Sequence, residues 1–158
     1  MKITRITTHP VRIPLRPEYR MVSALGRHEV SEYLLVRVET DAGIVGWGET
    51  IQNYTWGRVQ AQERVIGQTP ASLMWDDSLG AGLQMALLDA AGKLAGVPVY
   101  QLLGSKVRDW CAISFWDHDM SPEKYEVEAK TAVGLGYDCI KIKTRPWFDV
   151  RETIQRIS

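Results

Sequence analysis

Apolar and polar positions alternate along residues 2–14, which predicts a first strand, and again from Glu32 to Thr40, where Leu34, Val36 and Val38 share one side. Asp41-Ala42-Gly43 supplies a tight turn into Ile44-Val45-Gly46-Trp47-Gly48, so the three segments predict an antiparallel meander. Between the first two strands, Arg16 to Glu29 is polar and too long for a simple hairpin connection. Connections of that length are often functional or mobile.

The spacing then becomes helical. Thr55 to Gly67 and Pro70 to Asp77 predict short helices. Ala81 to Ala95 predicts a longer one with Leu83, Ala86, Leu87, Ala90, Ala91 and Leu94 on an apolar face and Gly96 and Pro98 as its stop. Asp89 and Lys93, at i and i+4 on this helix, predict a local ion pair worth about 0.3 kcal/mol. Val99 to Leu103 adds a helical turn closed by Gly104. From about residue 110 the order changes: Cys111 to Trp116 reads as a short apolar strand, and Ser121-Pro122 as an N-cap with proline at the first helical position. A helix from Pro122 to about Leu135 follows, then a strand from Asp138 to Lys143, and Asp149 to Ser158 begins another helix. Strand, helix, strand implies two parallel strands joined by a right-handed crossover.

With 158 residues the chain has the length of one ordinary domain, or of a small domain and part of another. Nineteen basic and nineteen acidic side chains cancel, so the charge calls for neither nucleic acid nor an anionic membrane. No window approaches eighteen apolar residues and no signal-like apolar stretch follows Met1, which points to a cytoplasmic protein. Cys111 and Cys139 sit in apolar runs without a second ligand nearby and are expected to be reduced core residues. No repeat, glycine-rich phosphate loop, Cys/His metal cluster or nucleophile elbow occurs.

The candidate chemistry lies in Lys141-Ile142-Lys143. Residues two apart on a strand point to one side, so the two ammonium groups project together while Ile140 and Ile142 face the other way. At about 7 Å and an effective dielectric near 20, two unit charges repel by roughly 2.4 kcal/mol, worth nearly two pKa units, and any desolvation lowers one lysine further toward neutrality. The same pattern also fits a half-exposed antiparallel strand with its charges outward. The residues alone leave both open.

Four stretches, in order, resemble the enolase superfamily, in its mandelate racemase and muconate lactonizing enzyme branch. They are Gly43 to Glu49 (GIVGWGE), Met85 to Lys93 (MALLDAAGK), Pro98 to Gly104 (PVYQLLG) and Gly136 to Lys143 (GYDCIKIK). The resemblance implies an α+β capping domain over residues 1–108, a three-stranded antiparallel meander plus helices. Residues 109–158 would then begin a truncated (β/α)₇β barrel, with its first β/α units only. It implies an isomerase or lyase that abstracts the α-proton of a small carboxylate through an enolate, by racemisation, cycloisomerisation or dehydration, and an acid sugar is favoured because the cap segment is rich in arginine.

By the same resemblance Lys143 is the general base, and Lys141 lowers its pKa and contacts the substrate carboxylate. Tyr19, Arg20, Arg27, His28, Tyr54 and Trp56, in cap loops that close over such a site, become substrate-binding candidates, each also readable as a solvated loop residue. Asp117 and His118 follow the first barrel strand and read either as pocket lining or as a surface turn. Magnesium belongs to the complete enzyme; the acidic residues that hold it end the third to fifth barrel strands and have no matching position here, so no metal is expected to bind this chain tightly. Lys143-Thr144-Arg145-Pro146 also lacks the glycine common after the second lysine. A homo-oligomer is implied. Two parallel strands cannot close a barrel that takes about 250 residues, so these 158 residues alone are expected to be inactive, or to form a noncatalytic α+β association module.

Overall fold

The computed structural model describes residues 1–15, 21–23, 26–51 and 62–158. Strand β1 (Ile3–Pro14) runs the full length that its alternation predicts. Within the long polar connection, β2 (Met21–Ser23) and β3 (Gly26–His28) form a short antiparallel hairpin. Then β4 (Val30–Thr40) pairs antiparallel with β1 and with β5 (Val45–Ile51), giving the sheet order β1-β4-β5. Gly43, at φ +73°, makes the turn between β4 and β5, and the Thr40 hydroxyl donates to the Ile44 carbonyl across it. Few residues but glycine adopt that φ without strain.

The helices follow. The predicted helix over Thr55 to Gly67 is described only as α1 (Gln62–Val65), since residues 52–61 lie outside the described residues. The one expected from Pro70 to Asp77 is shorter than predicted: α2 (Pro70–Leu73), capped by the Thr69 hydroxyl, ends early. The Asp76 carboxylate then accepts from the Ser78 N–H and starts a separate 3-10 turn at Asp77–Leu79. An aspartate that can cap the following amides favours a new start over a continued helix. Helix α3 (Ala81–Ala95) and α4 (Val99–Leu103) have the predicted bounds.

One core joins β1, β4, α1, the 3-10 turn and α3 through Ile3, Ile6, Val36, Val38, Val65, Leu79, Leu83, Ala86 and Leu87. Val36 and Val38 stand on one face of β4, two residues apart, and α3 lays its small and apolar stripe across it. Leu94, expected on that stripe, is exposed. One residue earlier the Lys93 ammonium already donates to the carbonyl of Val45, the first residue of β5, so the helix has run past the end of the sheet.

Asp89 and Lys93 do more than pair locally. Asp89 Oδ2 accepts from Lys93 Nζ at 2.7 Å and from the Trp47 backbone N–H at 2.8 Å, while Lys93 Nζ donates to the Val45 carbonyl at 2.8 Å. Strand β5 is a sheet edge, and these two side chains satisfy two of the backbone groups on its outer side, the Trp47 N–H and the Val45 carbonyl. Asp89→Ala is expected to lower stability by about 1.5 kcal/mol, several times the value of an isolated helix ion pair. A urea midpoint unchanged from wild type would count against the clip.

The chain divides into two units, Met1–Pro14 with Val30–Val107, which holds the sheet and helices above, and Leu15–Glu29 with Arg108–Ser158. In the second, β6 (Phe115–Trp116) and β7 (Ile140–Lys141) are parallel, joined by α5 (Pro122–Gly134), and α6 (Val150–Ile157) packs on α5. Asp149 caps α6 by accepting from the Arg151 and Glu152 N–H groups. Both strands are shorter than the alternation predicts. Cys111 and Cys139 are free, as expected, but exposed rather than in a core. Apolar strand residues are buried only where a second layer covers them, and nothing described covers these two sites.

Candidate active site

The parallel register pairs Phe115 with Ile140 and Trp116 with Lys141, held by Phe115 N–H to Cys139 O at 2.9 Å and Asp117 N–H to Lys141 O at 3.1 Å. In a parallel pair, residues in register share a face, so the strands have two distinct sides. On the helix side, Phe115 meets Tyr137 edge-on with ring centroids 5.3 Å apart, and Asp117 is buried. On the other side lie Ser114, Trp116 and His118 beside Cys139 and Lys141. The Ser114 hydroxyl is 3.4 Å from Cys139 Sγ, the Trp116 and His118 rings meet at 4.1 Å, and Lys141 Nζ stands 5.8 Å from the Trp116 ring centroid. Exposure alternates through the motif: Ile140 and Ile142 are half-buried, Lys141 and Lys143 exposed. Lys141 lies on the side away from the helix, beside Trp116, and Lys143 is exposed just past the strand end.

Lys143 lies two residues beyond the last ladder pair. Its backbone N–H donates to the Tyr125 hydroxyl at 2.9 Å, and that hydroxyl donates to the His118 carbonyl at 2.6 Å. Tyr125 is fully buried on α5. Burial, foremost, raises its phenol above the usual range, so it stays a neutral donor. Arg145 Nε binds Asp119 Oδ2 at 2.8 Å, and its guanidinium lies 5.8 Å from the Trp147 ring. The cavity behind the strand ends, lined by Met120, Tyr125, Lys143, Arg145 and Phe148 among others, has about 10 Å³ of room for water-sized molecules and admits a water, not a substrate.

Tyr125, Asp119 and Arg145 had no place among the sequence candidates. Arg145 could have been found, because it continues the every-second-residue spacing of Lys141 and Lys143. Tyr125 sits inside an ordinary amphipathic helix and carries no local signal.

Asp117, one of two residues read as possible pocket lining, is buried on the helix side instead. Strand alternation puts it opposite Trp116 and His118. Its Oδ2 has no hydrogen-bond partner, and burial first, then the charge of Glu128 on α5, push its carboxyl up from 3.8 to about 6. A raised carboxyl pKa favours the folded state while the group is protonated, so this contribution is complete below pH 3.8 and is lost as the pH rises through about 6. Asp117→Asn is expected to be more stable than wild type above pH 7, by up to about 2 kcal/mol, and to show little gain at pH 4. Equal thermal shifts at both pH values would contradict this account.

Of the substrate-binding candidates, Tyr19, Arg20, Tyr54 and Trp56 lie outside the described residues. Arg27 and His28 are on β3, opposite Val22 and Met21. The hairpin that carries them belongs to the same unit as the parallel strands. Among the described residues no group of three or more His, Cys, Asp or Glu side chains could hold a metal ion. No described helix is long and apolar enough to cross a membrane.

No family model matches the chain. It is 33% identical to the D-galactonate dehydratase of Pectobacterium atrosepticum, over 90% of the chain and 38% of that enzyme. With the N-succinyl-L-Arg/Lys racemase of Bacillus cereus the identity is 28%, over 99% of the chain and 47% of the enzyme, and the crystal structure of that racemase superimposes with a TM-score of 0.82. The relatives and structural neighbours of this chain are members of the mandelate racemase and muconate lactonizing branch of the enolase superfamily. The chain matches the N-terminal portion of that branch, and its sheet with helices and its parallel pair correspond to the capping domain and the start of the barrel. The dipeptide epimerase of Enterococcus faecalis V583, solved with Mg and a dipeptide, shares the fold at a TM-score of 0.80 and 24% identity, over 99% of the chain and 50% of the epimerase. The chain thus spans between 38% and 50% of the length of these relatives.

Proposed function

We propose that this chain supplies the capping domain (residues 1–108) and the first barrel strands (109–158) of an enzyme that removes the proton α to a substrate carboxylate, with Lys143 as the base. The observation that carries it is that Lys141 and Lys143 are exposed at the C-terminal end of β7, with Lys141 Nζ 5.8 Å from the Trp116 ring centroid. A proton α to a carboxylate is weakly acidic, so a neutral amine in reach must act together with cationic groups that take up the charge growing on the carboxylate oxygens. Lys143 takes the proton at Nζ. Lys141, its ammonium held near the Trp116 ring, is the carboxylate contact. Tyr19, Arg20, Arg27, His28, Tyr54 and Trp56 remain proposed substrate contacts from the cap.

Magnesium is proposed for the complete enzyme, as in the Enterococcus faecalis epimerase complex. The described residues do not form a site for it, and no step here passes through a metal. Dehydration of an acid sugar is the favoured outcome, supported by the identity with a D-galactonate dehydratase. After loss of the α-proton, departure of the β-hydroxyl as water gives an enol that tautomerises to a 2-keto-3-deoxy acid. Racemisation of an N-acylated amino acid is the second outcome, supported by the match to the Bacillus cereus racemase.

The full-length enzyme, incubated with Mg²⁺, a panel of acid sugars and N-acylamino acids in deuterated water, is expected to form a keto-deoxy acid from one sugar acid or to exchange the α-proton of one acylamino acid. Neither product across the panel would overturn the proposal. The 158 residues alone are expected to give neither. In that form Val107, Trp110 and Ile113 are 85%, 91% and 69% exposed, which favours self-association of the isolated chain. A single monomeric species in sedimentation at high concentration would refute that.

A further inference from the structure

We infer that Tyr125 is a positioning residue for Lys143, its hydroxyl replacing a missing rung of the β6–β7 ladder at the point where the proposed base leaves the strand. This rests on the assignment of Lys143 as the base.

The register of the pair is fixed by Phe115 opposite Ile140 and Trp116 opposite Lys141, and continuing it puts His118 opposite Lys143. Parallel strands exchange slanted hydrogen bonds at even spacing. After Phe115 N–H to Cys139 O and Asp117 N–H to Lys141 O, the next bond would run from Lys143 N–H to the Asp117 carbonyl. Instead, Lys143 N–H goes to Tyr125 Oη at 2.9 Å, and the phenol passes its own proton to the His118 carbonyl at 2.6 Å. Lys143 O lies 3.0 Å from the same oxygen, the longer of its two acceptor contacts. A hydroxyl both donates and accepts, so it can bridge an N–H and a C=O across strands that have begun to part, which neither strand's own backbone can do.

The geometry serves a base. A catalytic side chain must be held close to its productive position, and an error of about 1 Å costs about 10²-fold in rate. Lys143 is exposed, and the described residues do not bury its side chain. Its main chain is therefore where positioning acts, and Tyr125, buried in α5, ties it to the helix and to the neighbouring strand end together. Raised by burial, the phenol keeps its proton through the pH range in which an amine base works.

Tyr125→Phe removes the oxygen and keeps the ring. In the 158-residue chain, the Lys143 amide is expected to exchange with solvent about 10-fold or more faster, while amides of α3 and α5 keep their wild-type protection. In the full-length enzyme, kcat is expected to fall about 10-fold or more with KM changed less than about twofold, because placement of the base is lost and ground-state binding is not. Unchanged protection of the Lys143 amide overturns the tie, and unchanged kcat in an enzyme that Lys143→Ala inactivates overturns its role in positioning. If Tyr125→Phe fails to fold, the wild-type spectrum decides. A slowly exchanging Tyr125 hydroxyl proton with a cross-peak to the Lys143 amide supports the rung, and its absence under conditions that show the buried amides overturns it. Full turnover in Lys143→Ala would overturn the base assignment and with it the catalytic meaning of the tie, while amide exchange still reports on the rung itself.

Discussion

Gly48→Ala is expected to destabilise the capping unit by about 4 kcal/mol, the largest effect among the glycines whose surroundings are described. Strand β5 turns Gly46 and Gly48 toward α3 and Trp47 away from it. A Cβ at Gly48 would stand 1.9 Å from the Gly82 carbonyl oxygen and 2.8 Å from the Ala86 nitrogen, and one at Gly46 would stand 2.1 Å from the Ala86 carbonyl oxygen. All of these are backbone atoms of α3, so no side chain can swing aside. The whole helix must lift. Lifting it opens the contacts of Leu83, Ala86 and Leu87 with Val36 and Val38, and it stretches the clip from Asp89 and Lys93 to Trp47 and Val45. A control with equal added volume is Gly43→Ala. There a Cβ meets nothing within 4 Å and the loss comes only from the positive φ, about 1 kcal/mol. Denaturant unfolding of the three proteins checks the order, and a Gly48→Ala midpoint near that of Gly43→Ala would refute the close-approach account.

In the full-length enzyme, Lys143→Ala is expected to lower kcat by about 10³-fold, the range for removal of a general base. Lys143→Arg should do no better, since a guanidinium does not give up its proton at any working pH. Lys141→Ala is expected to differ in kind. Loss of a carboxylate contact raises KM as well as lowering kcat, by about 10-fold each, whereas loss of the base leaves KM near its original value. Single-turnover kinetics with the active acid separates the cases, and a Lys143→Ala enzyme within about 10-fold of wild type in kcat would remove Lys143 from the role.

Much of the architecture is readable from local pattern because its causes are local. The bounds of α3 follow from an apolar stripe closed by Gly96, which adopts the left-handed conformation at the helix end. The β4–β5 hairpin follows from Asp41-Ala42-Gly43. The exposure of Lys141 and Lys143 between half-buried Ile140 and Ile142 follows from the period of two. Four short stretches carry the family, and two of them are explained by contact: Gly46-Trp47-Gly48 is the seat of α3, and Asp89 with Lys93 is the clip on the sheet edge.

Other features depend on residues far apart in the chain that meet only after folding. Cys111 and Cys139 look like core residues by composition, yet burial is decided by what covers a strand, and nothing described covers them. The length of β6 and β7 is decided by how long the two strands run side by side, which neither strand's own alternation encodes. Asp117 was assigned to a pocket or a turn by its place after a strand, and the crossover helix put it under Glu128. Tyr125 gains its meaning from His118, seven residues before it, and Lys143, eighteen after. Periodicity and turn chemistry were thus enough to specify most of the elements, and the four stretches carried the resemblance to the family. Packing alone decided which hydroxyl holds Lys143, which carboxylate is stranded and which glycines admit no side chain, because each is a distance between elements that no local pattern contains.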